Sequence, residues 1–147
     1  MLSACGDDGD AGACGPILRE GLDPAYVVHV LGSDTDVEYR SDPPTSGPHQ
    51  PAPSVEGVLD ETLPRPIQVG LLEQGDVLVQ YDPDAVSGED REAVEGLASD
   101  GVVVAPGDEL PDAVVATAWT AKRECSSVDV AALEEFVAER AGQGPEH

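Results

Sequence analysis

Apolar positions along this chain fall into two periodic patterns, and both are clearest in its C-terminal half. Val77-Leu78-Val79-Gln80-Tyr81 is rich in β-branched and aromatic residues and predicts a strand, with Val77, Val79 and Tyr81 on one side. Val102 to Ala105 predicts a buried strand stopped by Pro106-Gly107, and Ala113 to Trp119 a third, with Val115, Thr117 and Trp119 sharing a side. Helical spacing separates and follows these runs. Ala93, Val94, Leu97 and Ala98 form a stripe over about Glu89–Ser99, capped by Ser87, with Glu89 and Asp90 in the first turn and Gly101 at the end. Leu133, Phe136, Val137 and the stem of Arg140 share one face of a second helix over about Asp129–Arg140, which Gly142 stops. The order β-α-β-β-α predicts an α+β fold: a small mixed sheet covered by two amphipathic helices in a two-layer sandwich.

The N-terminal half is patterned differently. Ala25 to Val30 and Val37 to Tyr39 read as short strands. Five prolines between Ser41 and Pro53 exclude helix and central strand, and predict a stiff, extended loop able to present its side chains reproducibly. Pro64 and Pro66 bracket a turn before Ile67-Gln68-Val69. Residues 1–13 read as a terminus and flexible acidic tether, and 14–147 as a single globular domain.

Charge changes this picture more than composition does. With aromatic residues at 3%, the core must be aliphatic, and Trp119 and Phe136 are among its few large anchors. Thirty acidic residues face seven basic ones, for a net charge of −23, and Lys122 is the single lysine. No basic patch can be assembled from that set, which argues against a nucleic-acid partner. An anionic lipid surface would repel the domain as well, so any membrane attachment needs another source. The acidity fits either adaptation to high salt or a plain compositional bias. No run of eighteen apolar residues occurs, so the chain contains no membrane-spanning helix.

Three cysteines form an odd set: Cys5, Cys14 and Cys125. Leu2-Ser3-Ala4-Cys5 has the form of a bacterial lipobox, in which the cysteine receives diacylglycerol before cleavage. The polar stretch Gly6 to Gly12 after it suits a spacer from a bilayer. The charged start and apolar middle of a signal peptide do not precede it. Either Cys5 is the lipidation point, or it is an unremarkable terminal cysteine. Setting it aside leaves Cys14 and Cys125 as an even pair. In an exported chain they would close as a disulfide, worth about 4–5 kcal/mol on the chain-entropy model; otherwise they are two separate buried thiols. The spacings of a structural zinc site are absent.

At Pro43-Pro44-Thr45-Ser46-Gly47-Pro48-His49 the chain resembles the bacterial family called domain of unknown function 3105, of which that heptapeptide is a specific signature. The likeness takes in His29-Val30 and Tyr39 upstream. Downstream it includes Leu72-Glu73-Gln74-Gly75, the Val77 to Tyr81 run, Thr117-Ala118-Trp119 and the closing Gly144-Pro145-Glu146, so it covers about residue 14 to the end. It implies an extracytoplasmic address, since members often carry a signal peptide, a lipobox or one anchor helix, and it implies no established activity. Relatives usually carry His-x-Leu-Glu-His-Gly where this chain has Gly70-Leu71-Leu72-Glu73-Gln74-Gly75, so both histidines of that segment are missing. A converging set of four imidazoles would suit copper or zinc. Here His29 and His49 remain, with Glu73 as a further donor, and Gln74 is no equal substitute. Each remaining histidine has an alternative structural role, His49 in loop packing and His29 in a strand.

Phosphate loops, nucleophile elbows, zinc-protease helices and calcium loops are absent. Ser46 lies near His49, but adjacent loop residues seldom give nucleophile geometry and no third group is evident. Three expectations follow. The first is a non-enzymatic, lipid-anchored binding or structural module of the cell envelope. The second is a copper or zinc protein using His29, His49 and Glu73, and the third a hydrolase around Ser46.

Overall fold

Five strands form one mixed sheet in the order β1-β5-β4-β2-β3: β1 (Leu18–Arg19), β2 (Val77–Tyr81), β3 (Val102–Pro106), β4 (Val114–Ala118) and β5 (Ala121–Cys125). The computed structural model describes residues 13–31 and 37–145. β2 and β3 run parallel, joined by a helical crossover, and every other pairing is antiparallel. All five residues of β2, of β3 and of β4 are buried, as expected of strands covered on both faces. The outer edge of β3 is covered by the segment around Val58, where the Leu59 amide donates to the Val104 carbonyl and the Val104 amide to that of Gly57. The other edge ends in the two-residue β1, too short to template further pairing.

The α+β class and the two amphipathic helices match expectation. Helix α2 (Gly88–Glu95) and helix α3 (Val130–Arg140) lie on one face, where Val94, Leu133 and Phe136 meet Val77, Val79, Val104, Val114 and Ala116. Burying each of the larger side chains contributes about 1.5–3 kcal/mol. Ser87 occupies the N-cap of α2 but makes no side-chain cap bond, and the helix stops at Gly96, a turn early. Asp129 does cap α3, accepting from the Ala132 amide.

The opposite face carries a third layer. Helix α1 (Arg65–Glu73) packs Val69, Leu71 and Leu72 onto Leu78, Val103 and Ala105, joined by Trp119, Tyr26 and Tyr39. A turn was expected where α1 begins. Pro64 and Pro66 instead occupy its N-cap and first turn, where a missing N–H costs nothing. The β-rich Ala25 to Val30 forms a 3-10 turn over Pro24–Val27, because Asp23 accepts from the Ala25 amide and starts it. Val37 to Tyr39 forms no strand. β5 was not anticipated, since Lys122-Arg123-Glu124 reads as a polar connection.

Cys14 sits opposite Cys125 across an isolated antiparallel bridge, and the two are joined by a disulfide with an S–S distance of 2.04 Å. It closes the start of the described chain onto β5. Cys5 and the tether up to residue 12 lie outside the described residues.

Candidate functional site

The proline-rich loop is irregular, as five prolines require, but it does not stand out in solvent. All seven residues from Pro43 to His49 are buried. Thr45, Ser46 and His49 are 2%, 6% and 1% exposed. A buried loop must satisfy its polar groups internally, and this one does so through partners far away in the chain. The Thr45 hydroxyl donates to Glu20 Oε1 at 2.6 Å, and Ser41 donates to the same oxygen at 2.7 Å. The other Glu20 oxygen lies 3.5 Å from Nζ of the buried Lys122. Burial pushes the Glu20 carboxyl up, but the two hydroxyls and Lys122 together outweigh it and hold the group below its ordinary value.

Backbone bonds extend the clamp. The Thr120 amide donates to the Thr45 carbonyl at 3.0 Å, and the Glu20 amide to the Thr120 carbonyl at 3.0 Å. Thr120 is the tip of the β4–β5 hairpin and has φ of +57°, a left-handed conformation unfavourable for a β-branched residue. The signature and the N-terminal strand hold it there. Gly47 has φ of +128°, where a side chain is strained, and a Cβ there would crowd the Tyr39 ring at 3.0 Å. Tyr39 in turn donates to the Pro48 carbonyl at 2.8 Å.

At the end of the loop the predicted donors meet. His49 and His29 are opposed in a parallel bridge, the His49 amide donating to the Val28 carbonyl and the Val30 amide to that of His49. Their rings stand 5.0 Å apart, edge to face. His49 Nδ1 lies 3.0 Å from the Gly47 carbonyl, an acceptor, so Nδ1 carries a hydrogen and donates it there. Nε2 then faces Glu73, 3.7 Å from Oε1, at the end of α1. Trp119 packs 6.4 Å from the His49 ring, and Tyr26 6.0 Å from Trp119. His29 is exposed, and with Glu73, Gln74, Pro51 and Ala52 it lines a pocket of about 220 Å³. Gly144 closes over the end of α1, where a Cβ would overlap the Glu73 carbonyl. Segments scattered over the chain thus converge: the signature, Leu72 to Gly75, Trp119 and Gly144.

The donor types suit zinc or copper, but the arrangement falls short. Among the described residues, no group of three His, Cys, Asp or Glu side chains could hold a metal ion. Position 70 cannot supply a further ligand either. The Gln50 carbonyl packs so closely on Gly70 that any Cβ there would overlap it, with Pro53 against it too. Ser46 is not aligned with His49: its Oγ accepts from the Asp23 amide at 2.9 Å, and His49 Nδ1 is turned to Gly47. Residues that carry the site without standing out in the sequence are Glu20, Asp23 and Lys122. The last was visible only as the single lysine.

A family model described as a protein of unknown function, DUF3105, matches residues 29–147, most of the chain and from His29 rather than Cys14 onward. No curated protein and no solved structure matches the chain.

Proposed function

The chain belongs to the DUF3105 family, and from that premise we propose that it is an exported, lipid-anchored, non-enzymatic binding module of the cell envelope. The disulfide between Cys14 and Cys125 carries this reading. Such bonds persist in oxidising compartments, and pairing two of three cysteines leaves Cys5, behind Leu2-Ser3-Ala4, as the acylation point. Two acyl chains hold a protein stably where one is marginal, and a domain with a net charge of −23 has no electrostatic route to anionic lipid. The signature hydroxyls support a binding rather than a catalytic module, because they are spent on holding the N-terminal layer.

The test is mass spectrometry of protein made in a bacterial host from its gene with whatever leader that encodes. A diacylglyceryl Cys5 and a single Cys14–Cys125 disulfide are expected, and Cys5→Ser should move the protein from the membrane to the soluble fraction. Unmodified Cys5 together with free thiols at 14 and 125 would sink the proposal.

The approach of His29, His49 and Glu73 supports a second reading, a weak copper or zinc site retained from a fuller one. Untagged protein should then melt at a higher temperature with either ion, and His49→Ala should lose the shift. No shift with either ion ends that reading.

A further inference from the structure

Gln80 is an anomaly in the fold. It occupies β2, an interior strand of the sheet, in a run that is otherwise Val, Leu and Tyr, and is 2% exposed. With Leu78 it points to the face covered by α1. Its Nε2 donates to Gln68 Oε1 at 3.3 Å, and Gln68, itself 6% exposed, donates to the Leu63 carbonyl at 2.7 Å. A primary amide offers two donors and an acceptor oxygen. Gln80 Oε1 accepts no bond from any described residue, and it is not among the fully buried unpaired polar atoms, so it opens toward solvent through the cavity it lines.

Both amides line a cavity of about 210 Å³. Its rim carries Thr62, Asp108 and the Arg65–Asp42 pair, bonded twice at 2.6 and 3.0 Å, while Leu63 and Leu110 supply apolar wall. The cavity lies beyond the carboxyl ends of β2 and β3, the parallel pair. There β2 has the crossover-linked β3 on one side and the antiparallel β4 on the other.

We propose that this cavity binds one sugar unit, a small neutral polyhydroxylated molecule. Its hydroxyls would meet the Gln68 and Gln80 amides and the Asp108 carboxylate. Hydroxyls both donate and accept, so they match the open Gln80 oxygen, the unused amide hydrogens and the acidic rim together. An anion would face two carboxylates against one guanidinium. An apolar ligand would strand the Gln80 oxygen. The volume lies under the roughly 300–1,000 Å³ of drug-sized sites, which limits the occupant to a small one. This inference gives the binding module a ligand class and rests on that reading. Its test does not involve Cys5 or export, so the two fail separately.

The experiment is a titration of the full chain, disulfide intact and ¹⁵N-labelled, with glucose and with N-acetylglucosamine. The side-chain amide signals of Gln68 and Gln80 are followed. Saturable shifts of both pairs are expected with at least one sugar. Gln80→Leu should weaken binding about tenfold or more while still melting cooperatively, at a somewhat lower temperature because Gln68 Oε1 loses its donor. Asp108→Asn, at the exposed rim, should weaken binding several-fold and keeps the test open if the Gln80 variant does not fold. The proposal is overturned by the absence of saturable shifts with both sugars. It is equally overturned by saturation with spermidine or phosphate in their place, or by variants that bind as the parent does.

Discussion

One sheet has two faces here, and they are held by opposite means. Beneath α2 and α3, Val, Ala, Leu and Phe side chains fill the space, and the contacts are non-directional. Beneath α1 and the signature segment, the apolar contacts around Leu78 and Trp119 are interleaved with buried polar groups, each with a named partner. Thr45 meets Glu20, Ser46 meets the Asp23 amide, and Gln80 meets Gln68. The first face needs only the right period and volume. The second needs particular atoms at particular distances, because a buried polar group without its partner costs about 1–3 kcal/mol. The second face is also where the candidate sites lie.

The largest effect should come from the aliphatic face. Phe136 is fully buried between α3 and the sheet, and Phe136→Ala should cost about 3–5 kcal/mol by lost transfer energy and cavity formation. Denaturant melts followed by Trp119 fluorescence and by far-UV circular dichroism should shift together. If the Trp119 transition, on the opposite face, stayed in place while the helix signal moved, the two faces would be independent units and the contrast would need redrawing.

An intermediate effect should come from the polar face, and it should depend on pH. Thr45→Val keeps the shape but removes a hydroxyl bonded to a charged carboxylate, a loss of about 1.5–3 kcal/mol at neutral pH. The Glu20 carboxyl is held below its ordinary 4.5. Its stabilising contribution is therefore present above about pH 4.5 and lost as pH falls through the lowered value. The difference between parent and variant should be full at pH 7 and shrink on acidification. Thermal melts across that range decide it; a difference constant with pH would remove Glu20 from the account.

The same contrast explains what could be read in advance. β2, β3, β4, α2 and α3 were legible because each repeats an apolar period that local geometry converts directly into a buried face. The disulfide was legible by parity. β5 was hidden because Lys122 is buried through its pairing with Glu20, a partner 102 positions away in numbering (122 − 20), and no local pattern reports that. α1 was hidden by prolines that a first turn accepts. Burial of the signature was missed for the reason β5 was: Thr45 looks like a surface residue until Glu20 and Thr120 are brought to it. Gln80 did leave a signal, an amide inside an apolar run. It showed that something polar was buried but not what it faced.

The smallest effect sharpens the contrast by testing an exception to it. Tyr81 is fully buried on the aliphatic face, and its hydroxyl has no hydrogen-bond partner among the described residues. Its ring is covered by the Arg91 guanidinium, 5.3 Å from the centroid, which Phe would preserve. Tyr81→Phe removes a desolvated polar atom without opening a cavity. Stability should stay the same or rise by up to about 1 kcal/mol. Burial raises the Tyr81 phenol above its ordinary 10.0, against a smaller opposing pull from Arg91. The parent's contribution from this group is therefore present below about pH 10 and lost as pH climbs through the raised value. The variant has no such group to lose, so its melting temperature should fall less steeply above pH 10. A variant clearly less stable at pH 7 would mean that the hydroxyl has a bonded partner after all. The aliphatic face would then depend on directed bonds as its opposite does.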